Sequence, residues 1–150
     1  MAISVRKGCP GDRDTIVGFQ VAMAQETEDL DLDPATVTAG VQAVFDDPQK
    51  GEYWIAEREG DIVGSLLTVP EWSDWRNGTV LWIHSVYVVP GARKQGVFRK
   101  LYENLQTRVV SSDGLKGLRL YVETENGNAQ RVYEKMGMSA EHYKLFEWLK

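Results

Sequence analysis

A basic, glycine-containing segment in the middle of the chain has the residue types to bind an anion. Residues 93–96 read Arg-Lys-Gln-Gly and separate the apolar run 86–89 from an amphipathic stretch over 97–110. This order is typical of a strand, a loop and the start of a helix, where unpaired N–H groups and the helix dipole favour negative charge. Gly96 allows the backbone to approach a ligand closely. The segment therefore predicts a site for a pyrophosphate-like anion.

Two familiar nucleotide-binding motifs do not fit this segment. Gly91 and Gly96 have the spacing of a P-loop, but Val97 and Phe98 stand where that motif needs Lys and Ser or Thr. The Gly-x-Gly-x-x-Gly fingerprint of a dinucleotide-binding fold is absent from the sequence. A helix whose polar first turn binds nothing stays open as the alternative.

The hydrophobic pattern predicts that strands and helices are mixed along the chain. Alternating or continuous β-type runs predict strands, and the connection that contains Gly60 predicts a hairpin. Apolar residues at four-residue spacing, or the start signal Asp33-Pro34, predict helices. The predicted strands cover 3–6, 52–57, 62–69, 79–89 and 118–122, with one or two more in 138–149; the predicted helices run from about 12 or 14 to 23 and over 34–45, 97–110 and 128–136; an acidic loop occupies 25–33 and a second loop occupies 70–78.

Composition excludes several classes of protein. A chain of 150 residues with 43% hydrophobic and 26% charged residues is typical of one globular domain, here 1–150, and not of a disordered chain or a coiled-coil rod. Apolar runs are far shorter than the roughly 20 residues of a membrane span, and the N-terminus has no signal-peptide pattern. The single cysteine cannot form an internal disulfide, so we expect a cytoplasmic protein. The net charge of −5 makes nucleic acid a poor partner.

Two motifs together resemble the GNAT superfamily of N-acyltransferases. The first is the acyl-CoA signature Arg/Gln-x-x-Gly-x-Gly/Ala after Val-x-Pro; residues 93–98 match it at Arg93 and Gly96 and depart from it at Phe98. The second is Asn-x-x-Ala-x-x-x-Tyr-Glu-Lys-x-Gly-Phe, which 126–138 match except that Met138 replaces the final aromatic residue. The resemblance extends over essentially the whole chain and is specific between 81 and 138.

The resemblance implies a mixed α/β architecture, the GNAT acyl-CoA N-acyltransferase fold. That fold is a twisted mixed sheet of six or seven strands with helices on both faces, and its fourth and fifth strands, here 79–89 and 116–122, splay apart around acetyl-CoA. The cosubstrate's pantetheine arm would pair with the fourth strand and its pyrophosphate would accept N–H bonds from the turn 95–99; no metal is implied. The implied coenzyme-binding residues are Val86, Tyr87, Val88, Arg93, Lys94, Gln95, Gly96, Val97, Phe98, Arg99, Asn126, Ala129 and Tyr133.

The implied reaction is acetyl transfer from a thioester to an amine, and two side chains are candidates for its proton transfers. The resemblance implies Tyr133 as the acid for the leaving thiolate and a backbone N–H near Val86 as the donor to the carbonyl. Many relatives carry a glutamate where this chain has His84, whose imidazole titrates near neutral pH and could act as the base. Strand alternation predicts that His84 shares a face with Trp82, Val86 and Val88. A core tyrosine and a structural histidine are the respective alternatives.

Acidic residues beside aromatic ones favour a cationic acceptor. The predicted acceptor pocket lies between the first two helices and the loop 70–78, where carboxylates and tryptophans suit an ammonium group. We predict a small cationic amine as the acceptor, with a protein N-terminus or lysine as the alternative, although a charge run is also typical of a solvated surface. The candidate substrate-binding residues are Gln20, Glu26, Trp72, Trp75 and His84.

Other classes of function and assembly stay open. A catalytically silent acyl-CoA sensor would keep Arg93 and Gly96 without a working acid or base. A structural or partner-binding α/β domain would bind no coenzyme at all. The resemblance also implies a possible homodimer through the last two strands. From the net charge and the short apolar runs, we expect neither nucleic acid nor a membrane as a partner.

Overall fold

The computed structural model describes residues 2–150, which form two compact units, one ending at Leu120 and the other running from Tyr121 to Lys150. The first contains the whole sheet and three helices, and the second contains the fourth helix. The strands are β1 (Ile3–Lys7), β2 (Glu52–Arg58), β3 (Asp61–Ser73), β4 (Gly78–Val88) and β5 (Leu115–Leu120), and the helices are α1 (Arg13–Glu28), α2 (Pro34–Asp46), α3 (Val97–Ser111) and α4 (Gly127–Lys135).

The sheet is mixed, as predicted, with the order β1-β2-β3-β4-β5. The pairs β1–β2, β2–β3 and β3–β4 are antiparallel, and β5 lies parallel to β4. The described residues form five strands, so the prediction of six or seven is wrong. The missing strands are those predicted in 138–149, where large apolar side chains such as Phe146 and Trp148 are exposed. Alternation of apolar and polar residues indicates only that the two faces of a segment differ. A strand also needs a neighbouring strand that pairs with its backbone N–H and C=O groups.

Helices cover both faces of this sheet, as the resemblance implied. Ile16 of α1 and Val41 of α2 pack with Tyr53 and Ile55 of β2 in one buried cluster. Trp54 points to the opposite face, where the guanidinium carbon of Arg108 on α3 lies 4.3 Å from the centre of an indole ring. The burial of these apolar faces is the main stabilising contribution to this unit.

Local signals set several boundaries as predicted, and tertiary pairing moved others. Asp33 caps α2, since its carboxylate accepts a hydrogen bond of 3.0 Å from the Thr36 N–H. The acidic stretch does not end α1 at about residue 25; the helix continues to Glu28 and closes with left-handed Asp29. Strand β3 runs to Ser73, so the predicted loop 70–78 shrinks to 74–77. Pro70 is tolerated because β2 pairs with β3 only as far as Thr68, which leaves Pro70 on an edge.

A buried carboxylate joins β1 to the start of α1. Asp12 is 6% exposed and accepts hydrogen bonds of 2.8 and 2.9 Å from the Arg6 guanidinium and of 2.8 Å from the Cys9 N–H. The Arg6 guanidinium lowers the pKa of Asp12 to about 2. Because the carboxylate is fully partnered, Asp12 can be buried in its charged form.

None of the helices in the described part of the chain is both long and apolar enough to cross a membrane.

Candidate active site

Strand β4 extends beyond its parallel partner and leaves an open edge. The β4–β5 pairing ends at Ile83 and Leu120, whereas β4 continues to Val88. On the opposite edge, β3 pairs with β4 as far as Gly64 and Val88. Within residues 2–150, no strand pairs with 84–88 on the β5 side. An extended ligand could therefore bond to backbone groups of this segment as an added strand would.

A β-bulge interrupts β4 beside this open edge. Leu67 pairs with His84 and Ser65 pairs with Tyr87, so two steps along β3 oppose three steps along β4. Ser85 in the bulge has a left-handed φ of 54°. The extra residue reverses the alternation of side chains beyond it. As a result, His84 and Tyr87 lie on one face of the sheet, together with Leu67 and the core of α1 and α2.

The prediction that His84 shares a face with Trp82 and Val88 is therefore correct for Trp82 and wrong for Val88. Trp82 does lie on the His84 face, and the two rings stack at 6.3 Å between centroids. Val88 pairs with Gly64 on the α3 face, where a Cβ on that glycine would come within 3.0 Å of Val97 Cγ1. Val86 lies in the bulge itself. Burial lowers the pKa of His84 below its usual 6.5, so its imidazole is neutral at neutral pH.

The loop after β4 presents the N-terminus of α3. Gly96 precedes the helix in a left-handed conformation, with φ 82° and ψ 17°, and Lys94 is left-handed too, with φ 63°. The first turn of α3 contains no acidic residue, while Arg99 and Lys100 are exposed within it. Cations are unfavourable at the positive end of the helix dipole. The positive charge at this helix start is not balanced by an acidic side chain in the first turn, so the arrangement favours a bound anion.

The side chains around this loop pack against α3 and the turn itself. Val97 is 2% exposed, and the rings of Phe98 and Tyr102 lie 6.0 Å apart. The bulky Phe98 that departs from the family signature is thus packed along α3. Gln95 donates a hydrogen bond of 3.1 Å to the Gly91 carbonyl and accepts one from Arg58. These contacts hold the turn from the side of β2.

Two residues predicted for different ligands contact each other. Arg93, predicted for the coenzyme, forms an ion pair of 2.8 Å with Glu26, predicted for the acceptor. The Tyr87 hydroxyl donates a hydrogen bond of 3.3 Å to the same carboxylate, and the Tyr87 ring lies 5.0 Å from Phe19. The sequence contains no signal for this cluster, because only the bulge turns Tyr87 toward α1.

The remaining acceptor candidates in the first unit lie on two elements. Gln20 is partly buried on α1. Trp72 and Trp75 lie at the β3–β4 hairpin with 64% and 90% of their surfaces exposed. Arg119 of β5 forms an ion pair of 2.9 Å with Glu71 of that hairpin and lies over the ring of Trp82, which is also on the hairpin.

The second unit contains the other motif residues. Asn126 caps α4, because its side-chain oxygen accepts a hydrogen bond of 3.1 Å from the Ala129 N–H. The two residues predicted to meet the pantetheine arm and the thioester thus stabilise the helix start. Tyr133 is partly buried on the same helix, and burial raises the pKa of its phenol above 10.0. The phenol is therefore protonated at neutral pH and can donate a proton.

In the part of the chain that the structure describes, no group of three or more His, Cys, Asp or Glu side chains is arranged to hold a metal ion.

Comparisons with known proteins find acetyltransferases among the chains that are similar to this one. The chain is 37% identical to a possible acetyltransferase from Clostridium difficile 630, over 100% of this chain and 99% of that one, with a TM-score of 0.92. It is 34% identical over 96 residues to N-alpha-acetyltransferase 60 of Xenopus tropicalis, a match that covers 63% of this chain and 37% of that relative.

A more distant enzyme shares the fold. AAC(6')-Iy, solved in complex with the bisubstrate analogue CoA-S-monomethyl-acetylneamine, has a TM-score of 0.79 at 18% identity over 100% of this chain and 99% of that one. The sequence model of the acetyltransferase (GNAT) family matches residues 20–138, which carry the open strand edge, the glycine turn and both motifs. The chain therefore belongs to the GNAT acetyltransferase family.

Proposed function

We propose that the protein transfers the acetyl group of acetyl-CoA to a primary amine of a small cationic molecule. The observation that carries this proposal is the continuity of the open β4 edge with the N-terminus of α3. One extended ligand with an amide-containing arm and a pyrophosphate matches both features in that order. Family membership supports acetyl transfer as the chemistry.

The coenzyme-binding roles follow from the backbone. Val86 and Val88 lie on the open part of β4 and are proposed to bond to the pantetheine arm. The N–H groups of Val97, Phe98 and Arg99 open α3 and are proposed to donate to the pyrophosphate. Exposed Lys94, Arg99 and Lys100 add positive charge around that anion. Asn126 and Ala129 remain proposed contacts of the coenzyme arm.

The chemical step requires two proton movements. The amine nitrogen attacks the thioester carbonyl carbon, the C–N bond forms, the C–S bond breaks, and the thiolate leaves. We propose that the neutral imidazole of His84 accepts the proton lost by the amine, directly or through water. The protonated phenol of Tyr133 is proposed to donate a proton to the thiolate. Both pKa shifts keep these groups in the protonation state that the proposed roles start from, a neutral imidazole and a protonated phenol.

The acceptor class is proposed from charge. Acidic residues such as Asp29 and Asp31 lie on the exposed segment between α1 and α2, and a cationic amine would be attracted to them. A protein N-terminus is the second candidate, because the chain is 34% identical over 96 residues to an N-alpha-acetyltransferase. The two classes differ in the length and charge of the acceptor, and an assay can separate them.

The test measures release of free coenzyme A from acetyl-CoA with polyamines, aminoglycosides, amino acids and short peptides. Turnover with small cationic amines and not with peptides is expected; the reverse would assign the N-terminal acceptor. Tyr133→Phe should lower kcat by about 100-fold or more, the usual effect of losing a general acid. Binding of acetyl-CoA without turnover on any amine would support the sensor alternative, and absence of binding would refute the coenzyme site. The predicted homodimer remains a prediction for light scattering to test.

A further inference from the structure

One carboxylate on α1 holds two groups at the end of β4. Glu26 Oε2 accepts a hydrogen bond of 2.8 Å from Arg93 Nη2, and Glu26 Oε1 accepts one of 3.3 Å from the Tyr87 hydroxyl. Burial and the neighbouring Glu26 raise the pKa of Tyr87, which keeps its hydroxyl a donor. Glu26 therefore uses both oxygens within the protein.

Arg93 is engaged on three sides. Its Nε donates a hydrogen bond of 2.9 Å to the Val88 carbonyl, its Nη2 binds Glu26, and its guanidinium carbon lies 5.5 Å from the centre of the Tyr87 ring. The guanidinium thus connects the last residue of β4 with α1. A planar group with donors in fixed directions suits such a bridge better than a lysine would.

The chain just after Arg93 adopts a backbone conformation that needs support. Lys94 and Gly96 are both left-handed, and together they turn the chain into α3. A left-handed lysine is unfavourable by itself, so contacts around it must maintain the turn. Arg93 supplies those contacts immediately before the turn.

We propose that Glu26 is a positioning residue for the coenzyme: through Arg93 and Tyr87 it fixes the turn that presents the N-terminus of α3 to the coenzyme phosphates. This inference rests on the proposed function and changes one part of it. Glu26 serves the coenzyme side of the site and not the acceptor ammonium. Arg93 likewise acts by holding the loop, while the phosphates are bound by the start of α3.

The test is whether coenzyme A binding becomes stronger or weaker when the charge of Glu26 is removed. Removing a negative charge near an anion site should strengthen anion binding if electrostatics alone act. Positioning predicts the opposite, so Glu26→Gln should raise the Kd for coenzyme A about twofold to fivefold, as expected for loss of an exposed ion pair. Glu28→Gln is the matched control, since it removes the same charge from an exposed position on the same helix. Its Kd should be unchanged or slightly lower.

Steady-state kinetics separate this role from acceptor binding. Glu26→Gln should raise KM for acetyl-CoA and leave KM for the acceptor amine unchanged. Arg93→Met should weaken coenzyme A binding to a similar degree, and the double variant should be no worse than Arg93→Met, because both changes break one bridge. Tighter coenzyme binding in Glu26→Gln, or a raised KM confined to the acceptor, would overturn the inference.

Amide hydrogen exchange tests the inference even if the coenzyme proposal fails. In the ligand-free protein, amides of 89–99 should exchange faster in Glu26→Gln than in wild type and Glu28→Gln. Unchanged exchange in that segment would show that Glu26 does not hold the loop. If wild type binds no coenzyme A while exchange still responds to Glu26→Gln, the proposed function fails and the positioning contact stands.

Discussion

Replacing Gly96 with alanine should destabilise the protein by about 1 kcal/mol and weaken coenzyme A binding. Gly96 has φ 82°, and apart from its two chain neighbours no described residue has an atom within 4 Å of a Cβ added there. The cost is therefore that of the backbone alone, about 1–2 kcal/mol for an L-residue in the left-handed region. Lower entropy of the unfolded chain offsets this by about 0.4–1 kcal/mol. The midpoint of thermal unfolding should fall by about 3 °C.

Gly91 supplies the matched control for this experiment. It lies in the same loop, its φ is not positive, and a Cβ there would likewise meet no described residue within 4 Å other than its chain neighbours. Gly91→Ala should therefore leave stability unchanged or raise it slightly. Urea unfolding gives the stability and calorimetry with coenzyme A gives the Kd. Equal stability and equal Kd in the two variants would refute the argument that the left-handed backbone at Gly96 shapes this site.

Three further predictions concern other parts of the first unit. Asp12→Asn should lower the free energy of unfolding by about 2 kcal/mol in urea at pH 7, because Arg6 loses a charged partner. Since the pKa of Asp12 is lowered to about 2, the wild type should lose this advantage over the variant between about pH 4 and pH 2. A stability difference that stays the same at low pH would contradict this prediction. Ser65→Ala should raise stability by about 1 kcal/mol, because the buried Ser65 hydroxyl has no hydrogen-bond partner among residues 2–150, and destabilisation would show that the hydroxyl is satisfied. The plot of kcat/KM against pH should fall on the acid side with a midpoint below 6.5, and an unchanged acid limb in His84→Ala would exclude that residue as the base.

Features that depend on neighbouring residues were predictable. The Asp33 cap and the hairpin turn at Gly60 arose from short-range rules, and the structure has both: Thr36 bonds to Asp33, and Gly60 adopts φ 82°. The glycine of the anion loop was also recognisable, since Gly96 is left-handed at the start of α3. In each case the side chain or the backbone freedom acts within four residues, so the sequence window contains the cause.

Features that depend on pairing partners were not predictable. The extension of β3 past Pro70 required the pairing of β2 with β3 to end at Thr68, and the strands expected in 138–149 lacked a ladder among the described residues. The reversal of faces at Ser85 depends on one unpaired residue opposite β3. Nothing in a run of β-type residues marks where such an extra residue is accommodated.

The amino-acid sequence alone was enough to indicate the family, the mixed fold and the turn that favours an anion, because motif spacing and backbone preferences are local properties. The contact of Glu26 with Tyr87 and Arg93 joins residues more than 60 positions apart, and it exists because the bulge in β4 turns one tyrosine toward α1. The packing of helices against the sheet determines which distant residues come into contact, through strand register and burial that no single segment encodes.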